Sequence, residues 1–249
     1  MTDEKSEKRN RGHGRGSSFF ALGKDVWTVL WTCETANRLN LISAYLVLLA
    51  GTGSDHRLTK WSAKACEQYL GMGKPRARHA IEELIAAGLV KRTEASTKMM
   101  PQYELPTLPL EDEPIFLPVQ LVTGLAGETP VLRRVRETGD ALLLRMLIDL
   151  YGDLHLAALR QSEGHGTDSA AYSKCVSTTG AHAVWAIRPG TTLQANGDWV
   201  RHHAVPAKKK GGDTDWEPFW ERVKLLKQLG AIYYEPWAFD SAALDAVFE

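Results

Sequence analysis

Residues 58–92, LTKWSAKACEQYLGMGKPRARHAIEELIAAGLVKR, constrain the fold more than any other stretch of the chain. Apolar residues recur at helical spacing on both sides of a glycine pair, Gly71 and Gly73, and the run leaves through Gly88 into β-favouring residues. The pattern predicts a helix over Lys60–Leu70 with Thr59 as N-cap, closed by Gly71, and a second helix from Pro75 to about Ala87. Pro75 suits the start of a helix because the N–H it lacks has no partner there. Gly88 is the expected left-handed residue that releases the chain.

The flanks extend this unit. Asn40 reads as the cap of a helix over Leu41–Ala50, whose residues are apolar almost all round and therefore require burial. Gly51-Thr52-Gly53 ends it. Further upstream, Val26–Thr32 suits either a short strand or an amphipathic helix. Downstream, Leu89–Glu94 and Lys98–Leu105 read as a β-hairpin around Ala95-Ser96-Thr97. Helix, helix, turn, helix and hairpin together bury a small three-helix core under a two-stranded wing.

The remainder divides by composition. Residues 1–18 are polar and rich in Lys, Arg, Gly and Ser, which predicts a disordered basic arm whose Arg9, Arg11, His13 and Arg15 can track phosphates. Residues 19–105 are the first domain. Prolines at 106, 109, 114 and 118, with Glu111, Asp112 and Glu113 among them, predict a linker or extended inter-domain crossing over 106–118. In 119–249, Val131–Arg136 is a basic helix start and Gly139-Asp140 precedes an apolar helix over Ala141–Tyr151, which can continue to Leu159. Residues 162–184 lack periodicity, and AKKKGGDT at 207–214 reads as a flexible basic loop. Val184–Ile187 and Trp199–Ala204 are candidate strands. Trp216–Leu229 has helical spacing, Gly230 stops it, and Ala231–Tyr234 reads as a strand.

That last unit echoes the first. IEELIAAGLVKR (Ile81–Arg92) and VKLLKQLGAIYY (Val223–Tyr234) share a helix, a glycine stop and a β-rich exit, and YLVLLA (Tyr45–Ala50) parallels LLLRMLIDLY (Leu142–Tyr151). The expectation is a second, divergent copy of the same unit over 119–249, interrupted by an insertion at about 162–212.

Composition narrows the class. Apolar content of 44% and charged content of 24% are ordinary for a soluble globular protein, and no apolar run reaches the roughly 18 residues of a membrane span. The N-terminus carries no secretory pattern, and three cysteines without CxxC spacing (Cys33, Cys66, Cys175) fit a reducing, cytoplasmic setting. The net charge of zero conceals an asymmetry: residues 1–105 hold 16 Lys+Arg against 11 Asp+Glu, and residues 106–249 hold 14 against 19. A basic half beside an acidic half suits a nucleic-acid-contacting module joined to a module of another kind.

On a wheel of about 100° per residue from Pro75, Ala77, Ala80, Ile81, Leu84 and Ile85 fall on one side, which must face the core. His79, Glu82, Glu83 and Ala86 lie opposite, with Arg76 and Arg78 on the flanks and Lys74 just before. Positive groups thus gather at the start of this helix. Residues 40–105, above all LGMGKPRARHAIEELIAAGLVKR, resemble the winged helix-turn-helix superfamily, as found in bacterial transcription regulators and in plasmid or phage replication initiators, some of which hold two such domains in tandem. The fold class implied is mainly α with small β wings (α+β), with two tandem winged-helix-like domains expected.

The resemblance implies that the helix from Pro75 enters the major groove of double-stranded DNA, since the start of a recognition helix meets base edges. Arg76 and Arg78 suit bidentate contacts to guanine, Lys74 a phosphate, and His79 a phosphate or base. Glu82 or Glu83 can accept from a cytosine amino group or stand in solvent. Lys91, Arg92 and Lys98 on the wing, and Lys60 and Lys64 on the preceding helix, extend the basic strip over the backbone. A homodimer would double the site read, and a host replication or transcription protein is a further expected partner. The alternative is a non-catalytic adaptor that uses the winged helix for protein contacts.

No enzymatic reading competes. Adjacent His202 and His203 point to opposite faces if on a strand, and His155, His165 and His182 lack metal-ligand spacing with the cysteines. Tyr233-Tyr234 lacks the histidine partners of a strand-transfer nucleophile, and no GxxxxGK[ST] phosphate loop is present. No cofactor and no metal are expected. Trp185, Trp199, Trp216, Trp220 and Trp237 crowd the second half and read as packing residues before a stacking platform for single strands.

Overall fold

Val26, Trp27, Leu30 and Trp31 recur at the spacing of one helix face, and that period decides the segment left open between strand and helix. It is α1 (Lys24–Thr32), with those four side chains buried, preceded by strand β1 (Phe19–Leu22). The computed structural model describes residues 19–53, 55–108, 114–125, 127–152 and 217–232, and beyond these the backbone of short strands between Tyr172 and Val247. It is mostly helical with small antiparallel sheets, an α+β arrangement compatible with the winged-helix class. The expected arm at 1–18 lies outside the described residues.

The second helix, α2 (Arg38–Ala50), starts three residues before its expected body. Two asparagines compete for the cap, and the carboxamide of Asn37 accepts the Asn40 N–H at 3.0 Å, so Asn40 lies inside the first turn and is itself buried. Every residue from Leu39 to Ala50 is buried, as the all-round apolar pattern required. Gly51 follows because Trp61 lies against it: a Cβ there would stand 2.3 Å from the ring.

Thr59 does not cap a helix. It belongs to strand β2 (Leu58–Thr59), and its hydroxyl accepts the Trp61 N–H at 3.1 Å, which postpones the next helix to α3 (Ala63–Leu70) after Ser62. Lys60 therefore lies in the link and not on the helix. α3 ends at Gly71, whose φ of 62° is the left-handed conformation expected of it. α4 (Lys74–Ala86) places Pro75 in its first turn and buries Ala77, Ala80, Ile81 and Leu84. Gly88, at φ 72°, releases the chain.

The wing is shorter and broader than a two-stranded hairpin. Leu89 and Val90 donate back to the Leu84 carbonyl, so pairing begins only at β3 (Lys91–Arg92). β4 (Tyr103–Glu104) lies between β3 and β2, giving a three-stranded antiparallel sheet with Tyr103 opposite both Arg92 and Thr59. Around the loop between β3 and β4, Thr93 N–H donates to Gln102 O and Thr97 N–H to Met100 O.

The proline-rich stretch ends in a strand, not a free tether. β5 (Ile115–Pro118) pairs antiparallel with β1, Phe20 opposite Leu117 and Leu22 opposite Ile115. Then come α5 (Gln120–Thr123), α6 (Val131–Glu137), α7 (Ala141–Gly152) and, further along the chain, α8 (Glu217–Gln228). α2 packs against β1, α1, α3, α4, α5, α6 and α7. One cluster of buried side chains runs from Phe20 to Leu226.

Between α7 and α8, β6 (Tyr172–Thr179) pairs with β7 (His182–Ile187), a strand pair in a stretch that showed little period, and β7 contains the expected Val184–Ile187. The basic loop at 207–214 is bracketed by β8 (Ala207–Lys208) paired with β9 (Thr214–Asp215), and β10 (Ala238–Phe239) pairs with β11 (Ala246–Val247). Ala231 and Ile232 are in no strand. The Trp199–Ala204 strand, residues 153–159, Tyr233-Tyr234, and the side chains of Trp185, Trp199, Trp216 and Trp237 lie outside the described residues.

Two polar links join distant segments. Asp140 caps α7 by accepting the N–H groups of Leu142 and Leu143, at 2.9 and 3.3 Å, and its other oxygen accepts from Arg222 of α8 at 2.7 Å. Buried Asp149 of α7 accepts the indole N–H of Trp27 in α1 at 2.6 Å and pairs with Arg145 at 3.5 Å. Arg145 lies over the Trp31 ring, 4.9 Å from its centroid. Removing one partner of such a group strands the others without water. Asp149→Ala is therefore expected to lower stability by about 2–4 kcal/mol, read as a fall in the urea midpoint.

Candidate nucleic-acid interface

The core face of α4 determines what its other face presents. With Ala77, Ala80, Ile81 and Leu84 turned inward, Lys74, Arg76, Arg78 and His79 stand exposed over the first turn and a half. Gly73 supplies the N-cap position without a side-chain hydrogen bond, and no carboxylate lies in the first turn. Lys74, Arg76 and Arg78 make no ion pair or hydrogen bond with a described side chain. The expected grouping of these residues at one end of one helix is what the structure contains.

The two carboxylates of α4 are occupied. Glu82 pairs with Arg92 of β3, which ties the wing to α4. Glu83 accepts the Thr35 hydroxyl at 3.1 Å, tying α4 to the loop between α1 and α2, and stands 3.8 Å from His79 Nε2. Glu82 and Arg92 stay half-exposed in their pair, whereas Glu83 is largely covered. Lys60, Lys64, Lys91 and Lys98 are exposed on separate segments: the link after β2, α3, β3 and the wing loop.

A further basic element was not anticipated at this surface. Arg136 of α6 donates Nε and Nη2 to the Leu70 carbonyl, at 3.1 and 2.9 Å, and so closes the C-terminal end of α3. Burial lowers the pKa of this guanidinium, which Glu137 opposes and the charges of Arg76 and Arg133 reinforce. The basic run at 133–136 was visible in sequence, but its partner 66 residues away was not.

Among the described residues, no group of three or more His, Cys, Asp or Glu side chains is close enough to hold a metal ion. Burial pushes the Cys66 thiol up to about 12, which leaves it inert as a nucleophile. No described helix is long and apolar enough to cross a membrane.

Comparison with family models, curated proteins and solved structures gives no match. The geometry of the surface therefore carries the functional reading by itself.

The bare N-terminus of α4 offers a direct probe of that geometry. Gly73 has extended dihedrals (φ −55°, ψ 138°), and a Cβ there meets nothing within 4 Å. Gly73→Asp introduces both a cap and an anion at the positive helix end. It is expected to raise stability by about 0.5–1 kcal/mol, seen as a higher urea midpoint at unchanged slope.

Proposed function

We propose that the chain is a double-stranded-DNA-binding protein built on a winged helix-turn-helix, acting as a transcriptional regulator or a replication initiator. In this reading α2, α3 and α4 form the helical core, β2, β4 and β3 form the wing sheet, and α4 enters the major groove. The observation that carries it is the division of charge on α4: Lys74, Arg76 and Arg78 are exposed and unpaired at its start, while Glu82 and Glu83 are held by protein partners.

That division suits a polyanion. The start of a recognition helix approaches base edges, where a bidentate arginine–guanine pair discriminates by about 1–3 kcal/mol. The positive end of the helix dipole adds to the attraction for phosphate. Lys91 and Lys98 on the wing, and Lys60 and Lys64 before and on α3, suit sequence-independent backbone contacts. A divergent second copy over 119–249 is supported by α7 and α8 at the expected places and by Gly230 at φ 64° after α8. Its expected exit strand lacks support at Ala231 and Ile232.

The test is binding of the full chain to labelled duplex DNA, followed by selection of preferred sequences. Arg76→Ala combined with Arg78→Ala is expected to weaken the selected site by about tenfold or more, and to relax preference at the positions they read. An adaptor that uses this surface for protein contacts would keep its full nucleic-acid affinity in the same double variant.

A further inference from the structure

α6 brings two arginines to the turn between α3 and α4. The Arg136 side chain is 11% exposed and spans its guanidinium across the Leu70 carbonyl, which fixes α6 against the end of α3. Three residues earlier on the same helix, Arg133 lays its guanidinium over Gly71. A Cβ at that glycine would stand 2.9 Å from Arg133 Cζ, so the arginine fills the space a side chain at the turn would take.

Gly71 itself is exposed and leads within three residues to Lys74. Arg76 is close enough that its charge is felt at Arg136, as is that of Arg133. The carboxylate facing the two α6 arginines is Glu137, 2.8 Å from Arg133 Nε and 4.0 Å from Arg136 Nη2. Arg133 and Arg136 share this one carboxylate, and Lys74 and Arg76 pair with none among the described residues, so the turn keeps a surplus of positive charge. The Arg133–Glu137 pair is itself half-exposed, with side chains 39% and 47% accessible, so water screens it and a stronger anion displaces it readily.

We propose that Arg133 is a contact to a DNA backbone phosphate, held in place by the Arg136 clamp on Leu70, so that the interface continues from α4 onto α6. The inference rests on the DNA-binding reading and assigns the second half of the chain a part in it. Arg133 grips phosphate without reading bases; Arg136 acts through Arg133 and α3 and is a positioning residue.

The experiment measures affinity of the full chain for a labelled mixed-sequence DNA duplex across about 50–200 mM salt. Loss of one phosphate contact in Arg133→Gln lowers the salt slope by about 0.9 and affinity by about five- to tenfold near 0.1 M salt, without changing the selected sequence. Glu137→Gln, which frees Arg133 from its internal partner, binds more tightly than the unsubstituted protein. Arg136→Lys keeps the charge, loses the paired hydrogen bonds and weakens binding with little change in slope. An unchanged slope in Arg133→Gln, or no tightening in Glu137→Gln, overturns this inference alone provided that the Arg76→Ala, Arg78→Ala variant has lost affinity. If that double variant also binds as well as the parent, the DNA-binding reading falls and this inference falls with it.

Discussion

A helix that is apolar on every side has to be enclosed, and α2 is that helix. From Leu39 to Ala50 no residue is exposed, so no face of it is spare for solvent. Burying an aliphatic side chain of this size contributes about 1.5–3 kcal/mol, and α2 supplies a run of them: Leu41, Ile42, Leu46, Leu48. Such a helix cannot be satisfied by α3, α4 and a wing alone. Its remaining sides are covered by β1, α1, α5, α6 and α7. This explains why segments from both sides of the proline-rich stretch share one hydrophobic cluster, and why β5 returns to pair with β1 instead of leading away. With its apolar face committed to α2, α4 can present only its polar face outward.

Polar links then fix the orientation that apolar packing leaves loose. Hydrophobic contact is non-directional, whereas a buried hydrogen bond has one productive geometry. Asp149 on Trp27 sets α7 against α1, Asp140 on Arg222 sets α8 against the start of α7, and Arg136 on Leu70 sets α6 against the end of α3. Glu82 on Arg92 and Glu83 on Thr35 do the same for the two sides of α4. Each link joins two elements through a polar side chain, and on α4 the links engage both of its carboxylates, Glu82 and Glu83. The exposed balance around the start of α4 is consequently more basic than the zero net charge of the chain suggests.

What could be read from sequence follows the range of the forces involved. The core face of α4, the glycine stops at Gly71 and Gly88 and the burial of Leu41–Ala50 are local consequences of the 3.6 period and of glycine's access to positive φ, and all are present. The four exposed groups at the start of α4 follow from the same wheel. Cap assignment failed where two polar residues compete: Asn37 displaced Asn40, and Thr59 was drawn into a strand. Strands of two residues have no period to detect, so β2 was invisible until Tyr103 paired with it. Arg133 and Arg136 were plain as a basic run, but nothing local says that they meet Leu70 and Gly71.

The start of α4 is assembled against its own stability. A helix N-terminus favours carboxylates and disfavours cations, each by about 0.3–1 kcal/mol at an exposed site. Here the first turn holds Lys74 and Arg76, the cap is a glycine, and Arg133 and Arg136 arrive from another helix with a single carboxylate between them. Glycine is an acceptable N-cap but gives the orphan N–H groups no side-chain acceptor, and a side chain at Gly73 would meet open space. Local charge points away from this arrangement, while the global fold accommodates it. Conflicts of that kind concentrate where a surface is shaped for something outside the chain. Among the described residues Lys74 and Arg76 pair with no carboxylate, and Arg133 pairs only with the half-exposed Glu137, so the surface at the start of α4 keeps a positive surplus.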